Sequence, residues 1–475
     1  METNETPEAS ASTPNNETKI AVVEPEAEAE VIEKKEHAIA LAINNFLHRV
    51  RDIEVAAGIY ISLSSRRRLR NFRRLIRELE KGEELLKDDA QSFQILGMTR
   101  TLEAVRKLER IKQSNVPRIL ETSLFLGLFS SYDAFTGDLL TAIYSKKPEL
   151  FNNVNRSVPV SEILQYRSFD ELKDAVLQSE IELFRRKSYV EQFEHLQSTF
   201  GIELKTFERW PQFVECGQRR NLITHCGGVV SEQYINVCIK EGHSFSKSVG
   251  VGDSLELGAE YFLTSCELMM EVGLKLSHTL WRKLFARELA EADDHLIEVV
   301  YTDCLQTEAW SRGIVFGEFA INQKKWSSDL RRKTSIINYA ISLKFSGKSA
   351  EAQKILATVD WSAAINDFRI AEAVLLDRFD EAANIMERIG KDSEMVSEYA
   401  YHHWPLFREF RTSDQFLKAY ENIYGYPFAV ELQRTADKTQ AEATKEFEKQ
   451  EQEIQSISPN ETENENSNDK EGKAP

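Results

Sequence analysis

No stretch of this 475-residue chain approaches the ~20 consecutive apolar residues that a bilayer-crossing helix needs, so a membrane-spanning role is not expected. The beginning also lacks the basic patch and apolar run of an export signal, because residues 1–36 are rich in Glu, Thr and Pro. Cysteine is sparse: Cys216, Cys226, Cys238, Cys266 and Cys304 are odd in number, unevenly spaced and contain no CxxC pair. A reduced, cytoplasmic location is the simplest expectation. The histidines, His402 and His403 included, lack ligand spacing, so no metal site is expected. Nor does a phosphate-cradling glycine loop occur, since 250–252 is not followed by Lys and Ser/Thr; no cofactor is expected.

Basic charge is not in excess either. With 77 acids against 60 bases the formal charge is −17, which excludes a globally basic coat for nucleic acid. Residues 1–36 supply −7 of this and residues 437–475 supply −6, leaving 37–436 at only −4. The acidity therefore belongs to two ends poor in apolar residues, expected as disordered solvating tails, although 442–453 can extend a final helix outward. An anionic substrate for the middle remains open.

Between the tails the apolar period is helical, and the fold expected is all-α. Ile39, Ile43, Phe46, Leu47 and Val50 form one stripe, Leu69, Phe72, Ile76 and Leu79 a second, and Leu102, Val105, Leu108 and Ile111 a third. These predict an N-terminal helical hairpin or short coiled coil over 37–115. Pro117 opens a buried helix over 118–145, another helical stretch is expected over 161–200, and a long helix over 263–285 closes the section. Short strands are expected only at 229–239 and 254–257. From 287 to 436 a weak echo at an offset of 30, in which 350–356 matches 380–386, predicts a loosely tetratricopeptide-like helical-hairpin array.

One segment stands apart, Glu215-Cys216-Gly217-Gln218-Arg219-Arg220-Asn221-Leu222-Ile223-Thr224-His225-Cys226-Gly227-Gly228. It resembles the signature of the HEPN superfamily, in which Arg, a polar residue, three further residues and His occur in that order; Arg220, Asn221 and His225 match. The helices around it, with Tyr132, Asp133 and Asp138 upstream and Trp281-Arg282-Lys283-Leu284 downstream, extend the resemblance over 117–286. It implies an HEPN-like helical bundle and a metal-independent endoribonuclease, homodimeric, with RNA as substrate and an antitoxin or regulatory protein as a further partner. A toxin or phage-defence role follows by the same analogy.

Side-chain chemistry suits that implication. Histidine exchanges protons near neutrality, and arginine presents a permanent planar fork of donors to phosphate. Asn221 would orient the imidazole or touch a phosphate. On one ideal helix Asn221 and His225 share a face, whereas Arg220 and His225 point about 140° apart. Two copies facing each other, or an irregular last turn, would bring them together. The plainer alternative takes Arg219 and Arg220 as surface charge and His225 as a helix-end residue bonded to carbonyls.

Other candidates are weaker. Glu215 either holds Arg220 or His225 or is a solvated acid; Asp133 and Asp138, five apart, do not pair on one face; Cys226 is expected as a packing thiol. Seven Arg fall within 66–77, and Arg66, Arg70, Arg73 and Arg77 align as a stripe that would guide RNA, with Arg219 as a further contact, unless the stripe is simply a solvated or Glu-paired face. The competing function is a non-catalytic dimeric helical adaptor.

Overall fold

The computed structural model describes residues 36–87, 90–153, 157–245, 249–391, 393 and 395–457. The expected N-terminal tail up to residue 35, and residues 458–475 of the C-terminal one, lie outside the described residues. These form two compact units. One holds the described residues of 30–298 with 322–328, the other those of 299–321 with 329–457.

The first unit is helical throughout: α1 (Ala38–Ala56), α2 (Ser62–Leu86), α3 (Gln91–Gln113), α4 (Val116–Lys146), the short α5 (Val160–Ile163), α6 (Phe169–Arg185), α7 (Tyr189–Phe200), α8 (Trp210–Cys226), α9 (Glu232–Lys240), α10 (Ala259–Leu284) and α11 (Leu289–Val300), whose last residues pass into the second unit. A π turn at Ala57–Ile61 carries α1 into α2 without a break. Pro117 sits in the first turn of α4, where its missing N–H costs no helical bond. The expected helix over 161–200 is interrupted twice, and α6 and α7 start on Ser168 and Ser188, whose side chains accept backbone N–H bonds from Glu171 and Glu191.

Two expectations are corrected here. The first stripe was assigned to the N-terminal hairpin, but Ile39, Ile43, Phe46, Leu47 and Val50 are at most 1% exposed, because α1 packs against α4 and α10. The hairpin proper is α2 with α3. Residues 229–239 are not a strand: an isolated antiparallel bridge joins Val229 to Ser254, and α9 begins two residues after Val230, capped by Ser231. Val230, Tyr234 and Cys238, four apart, are the buried ones, a helical spacing that prevails over the local run of β-branched residues.

The core of this unit is aromatic. Phe46 stacks on Phe135 at 4.5 Å, and Tyr132, Tyr189, Phe193 and Phe213 gather with centroids 5.6–5.8 Å apart. Such contacts bring α4, α7 and α8 together and fix the base of the cleft described below.

The second unit continues with α12 (Trp310–Ile321), α13 (Asp329–Phe345), α14 (Ser349–Leu356), α15 (Asn366–Leu375), α16 (Phe379–Ile389), α17 (Glu398–His403), α18 (Asp414–Tyr424) and α19 (Phe428–Ile457). Here α13 pairs with α14, and α15 with α16. The two echoing segments occupy equivalent places, each in the second helix of its pair, with Ala352 and Ala382 both buried. Small residues at both positions allow the close helix approach. Helix α19 runs past residue 437, where a tail was expected to begin. Its side chains over 437–452 are exposed, and hydrogen bonds at i,i+4, such as Gln450 to Glu446 at 3.0 Å, support it.

Candidate active site

Helix α8 carries the motif. Pro211 lies in its first turn, and Trp210, Phe213, Val214 and Leu222 fix its buried face. A Cβ on Gly217 would lie 2.7 Å from the Tyr189 ring, so glycine there permits α7 to press its tyrosine against α8. The helix ends at Gly227, whose φ of 62° is a left-handed conformation that L side chains resist. The Gly228 N–H donates back to the Leu222 carbonyl at 3.0 Å and fixes that end.

Arg220, Asn221 and His225 line a single cleft of about 410 Å³. Asp133 of α4, Ser231 and Tyr234 at the start of α9, and Arg185, Arg186, Lys187 and Tyr189 from the α6–α7 junction complete its wall. An arginine and a histidine that ideal helix geometry points apart thus line the same cleft of one chain. Arg220 lies deeper, with 30% of its side chain exposed, and His225 stands at the exposed lip.

Arg220 is held in place on two sides. Its Nη1 donates to Asn221 Oδ1 at 3.2 Å, and its Nη2 lies 3.9 Å from Asp133 Oδ2. Asn221 therefore orients the guanidinium rather than the imidazole. The Tyr189 hydroxyl donates to Asp133 Oδ1 at 3.3 Å. Burial raises the pKa of Asp133 against the opposing pull of Arg220, and burial together with Asp133 pushes the Tyr189 phenol up, keeping it a neutral donor. Arg185 donates from Nε to the Asp133 carbonyl at 2.8 Å and from Nη2 to that of Ala134 at 3.3 Å, which anchors the junction.

The lining contains four permanent cations, Arg185, Arg186, Lys187 and Arg220, against one carboxylate whose charge is disfavoured. A cleft of that composition attracts anions in a molecule that is acidic overall. Reading the motif alone missed 185–187. The available signal was three consecutive bases directly before Ser188 and Glu191, the two ends of a capping box.

Several expected site residues lie elsewhere. Arg219 does not line the cleft: its Nε donates to Glu215 Oε1 at 2.8 Å, its Nη1 to the Glu256 carbonyl at 3.2 Å, and its guanidinium stacks 3.8 Å from the Tyr261 centroid. Glu215 is buried, holding neither Arg220 nor His225, and also accepts from the hydroxyls of Tyr234 at 2.6 Å and Tyr261 at 2.7 Å. This is a structural lock. Cys226, expected to pack, is exposed on the cleft wall, whereas the other four cysteines are buried. Asp138 is exposed and takes no part. Arg66, Arg70, Arg73 and Arg77 are exposed on α2, outside the cleft. Among the described residues no three His, Cys, Asp or Glu side chains gather as a metal-ligand set. Set against protein-family models, curated proteins and solved structures, the chain matches none.

Proposed function

We propose that the α8 cleft is the active site of a metal-independent endoribonuclease of the HEPN type that its motif resembles. The observation that carries this reading is the meeting of Arg220, Asn221 and His225 with the basic run 185–187 in one accessible cleft. His225 takes the proton of a ribose 2′-hydroxyl as that oxygen attacks the adjacent phosphorus, or delivers one to the departing 5′-oxygen. Arg220, oriented by Asn221, stabilises the charge gathering on the phosphoryl oxygens, and Arg186 and Lys187 hold flanking phosphates. The bond to the 5′-oxygen breaks, leaving a 2′,3′-cyclic phosphate and a 5′-hydroxyl. DNA, lacking the attacking group, is not cut.

End-labelled single-stranded RNA and the matching DNA, incubated with the purified chain in chelator, test the reading. The wild type should cut RNA only, and His225→Ala should lower the rate by at least about 100-fold while leaving the helical circular dichroism unchanged. Equal cleavage by both proteins would remove the assignment. Retention of RNA without cleavage by either would favour a non-catalytic binding module.

A further inference from the structure

Helices α2 and α3 run antiparallel and meet along Arg68, Leu75 and Gly82 of α2 and Gly97, Thr101 and Leu108 of α3, all buried or half-buried. Gly97 and Thr101 lie against Gly82, and Arg68 donates to the Ile111 carbonyl at 3.2 Å, a register that sets Lys81 level with Arg100 and Arg74 level with Lys107. The residue before a contact position is turned by about 100° on its helix. On antiparallel partners that turn leads to the same broad side of the hairpin. There stand Arg67, Arg74 and Lys81 of α2 with Leu96, Arg100 and Lys107 of α3, every one of them exposed. Arg70 and Arg77, three residues beyond Arg67 and Arg74, line its outer edge. Leu63, four before Arg67, continues it to the root, and Phe93, three before Leu96, to the tip. The opposite side, one residue past the contacts, presents Leu69, Ile76, Glu83, Leu102 and Glu109 instead.

Bases dominate this side over about 21 Å of helix, from Arg67 to Lys81. Of its acids, Glu78 and Glu103 are held by Lys81 at 3.5 Å and Lys107 at 3.0 Å, and Glu84 stands at the outer edge by the tip. Arg67, Arg70, Arg74, Arg77 and Arg100 form no ion pair among the described residues. Such a surface is complementary to an extended array of phosphates, and the apolar residues at its two ends decide which array. Leu63, Phe93 and Leu96 are 53, 47 and 42% exposed. A polynucleotide backbone gives Leu63 and Leu96 nothing to pack on, and a curved duplex meets a flat two-helix side only along a line. A lipid bilayer is flat on this scale. Its headgroup–acyl boundary takes in aliphatic and aromatic side chains, and its anionic headgroups attract the bases between them. The acidity of the rest of the chain acts little here, since charges beyond ~8 Å are screened at physiological ionic strength.

We propose that the basic side of the α2–α3 hairpin binds an anionic lipid bilayer peripherally, lying along it with Leu63 at the root and Phe93 and Leu96 at the tip sunk into the interface. The hairpin rests on the bilayer and does not cross it. The assignment is independent of the cleft chemistry.

Cosedimentation of the full chain with vesicles of phosphatidylcholine containing about 30 mol% phosphatidylserine, and with phosphatidylcholine alone, tests it. The chain should pellet with the first and stay in solution with the second, and should be released as salt rises from about 0.1 to 0.5 M. Arg67→Gln, Arg74→Gln and Lys107→Gln together should weaken binding about 100-fold. Arg66→Gln, Arg73→Gln and Arg106→Gln, which remove the same charge one residue further round each helix, should weaken it less than about 10-fold. Phe93→Ser with Leu96→Ser should cost about 10-fold. All these positions are exposed, so helicity should not change. His225→Ala should bind vesicles as the wild type does. A wild type that stays in solution with anionic vesicles overturns the proposal, as does an equal loss from the two triple variants. RNA held through Arg67, Arg74 and Lys107 by a chain that ignores vesicles would give this side to a polynucleotide and overturn it too.

Discussion

Two adjacent arginines on α8 have different work. Arg219 is 15% exposed and completes the shell of the buried Glu215, whereas Arg220 opens onto the cleft, with a hydrogen bond to Asn221 and a long contact to Asp133. Removing one partner of a buried pair leaves an uncompensated charge, so Arg219→Ala should cost about 3 kcal/mol in urea unfolding. Arg220→Ala should cost about 1 kcal/mol, because water and the Tyr189 hydroxyl still serve Asp133, while RNA cleavage is lost. Equal destabilisation by the two would show that the division is wrong. The i,i+4 spacing of Glu215 and Arg219 allows their contact, but the sequence reading gave Glu215 to Arg220 or His225 or to solvent. Its depth was not legible, because Tyr234 and Tyr261, which close the shell, come from other helices.

At the scale of elements, the end of α8 sets the position of His225. Gly227→Ala forces an L side chain into a left-handed conformation, at about 1 kcal/mol, and loosens the turn that carries the histidine. The expected result is a melting shift of a few degrees with a much larger fall in cleavage. A proportionate loss of both would mean that the turn does not position the imidazole. Helix periods at this scale were readable, and α4 and α10 lie close to their expected ranges. What covers each apolar face was not: the α1 stripe looked like half of a coiled coil and turned out to be bundle core, while the rows on α2 and α3 lie largely open. Periodicity identifies a face, but its partner is decided by residues far away in the chain. The basic wall at 185–187 escaped for the same reason, since only the packing of α6 and α7 onto α4 carries it to the motif.

At the scale of the molecule, the bundle contains a buried histidine pair. His295 donates from Nε2 to Asn44 Oδ1 at 3.0 Å and accepts at Nδ1 from His278 Nε2 at 3.1 Å, an arrangement that requires the His295 ring neutral. Burial lowers the pKa of His295 to about 4 and that of His278 well below 6.5. The unfolded chain therefore binds protons that the folded one refuses as pH drops below 6.5. Stability should be full above that value and fall by on the order of 3 kcal/mol towards pH 4, read as a declining urea midpoint. A flat profile over that window would show the pair to be charged or hydrated in the folded protein. The π turn at Ala57–Ile61 has a different significance. A π turn absorbs one residue more than a regular helix while each flank keeps its heading. Shortening the chain by one residue there leaves the α2–α3 hairpin aimed as before, whereas the same deletion further along α2 would turn everything beyond it by about 100°.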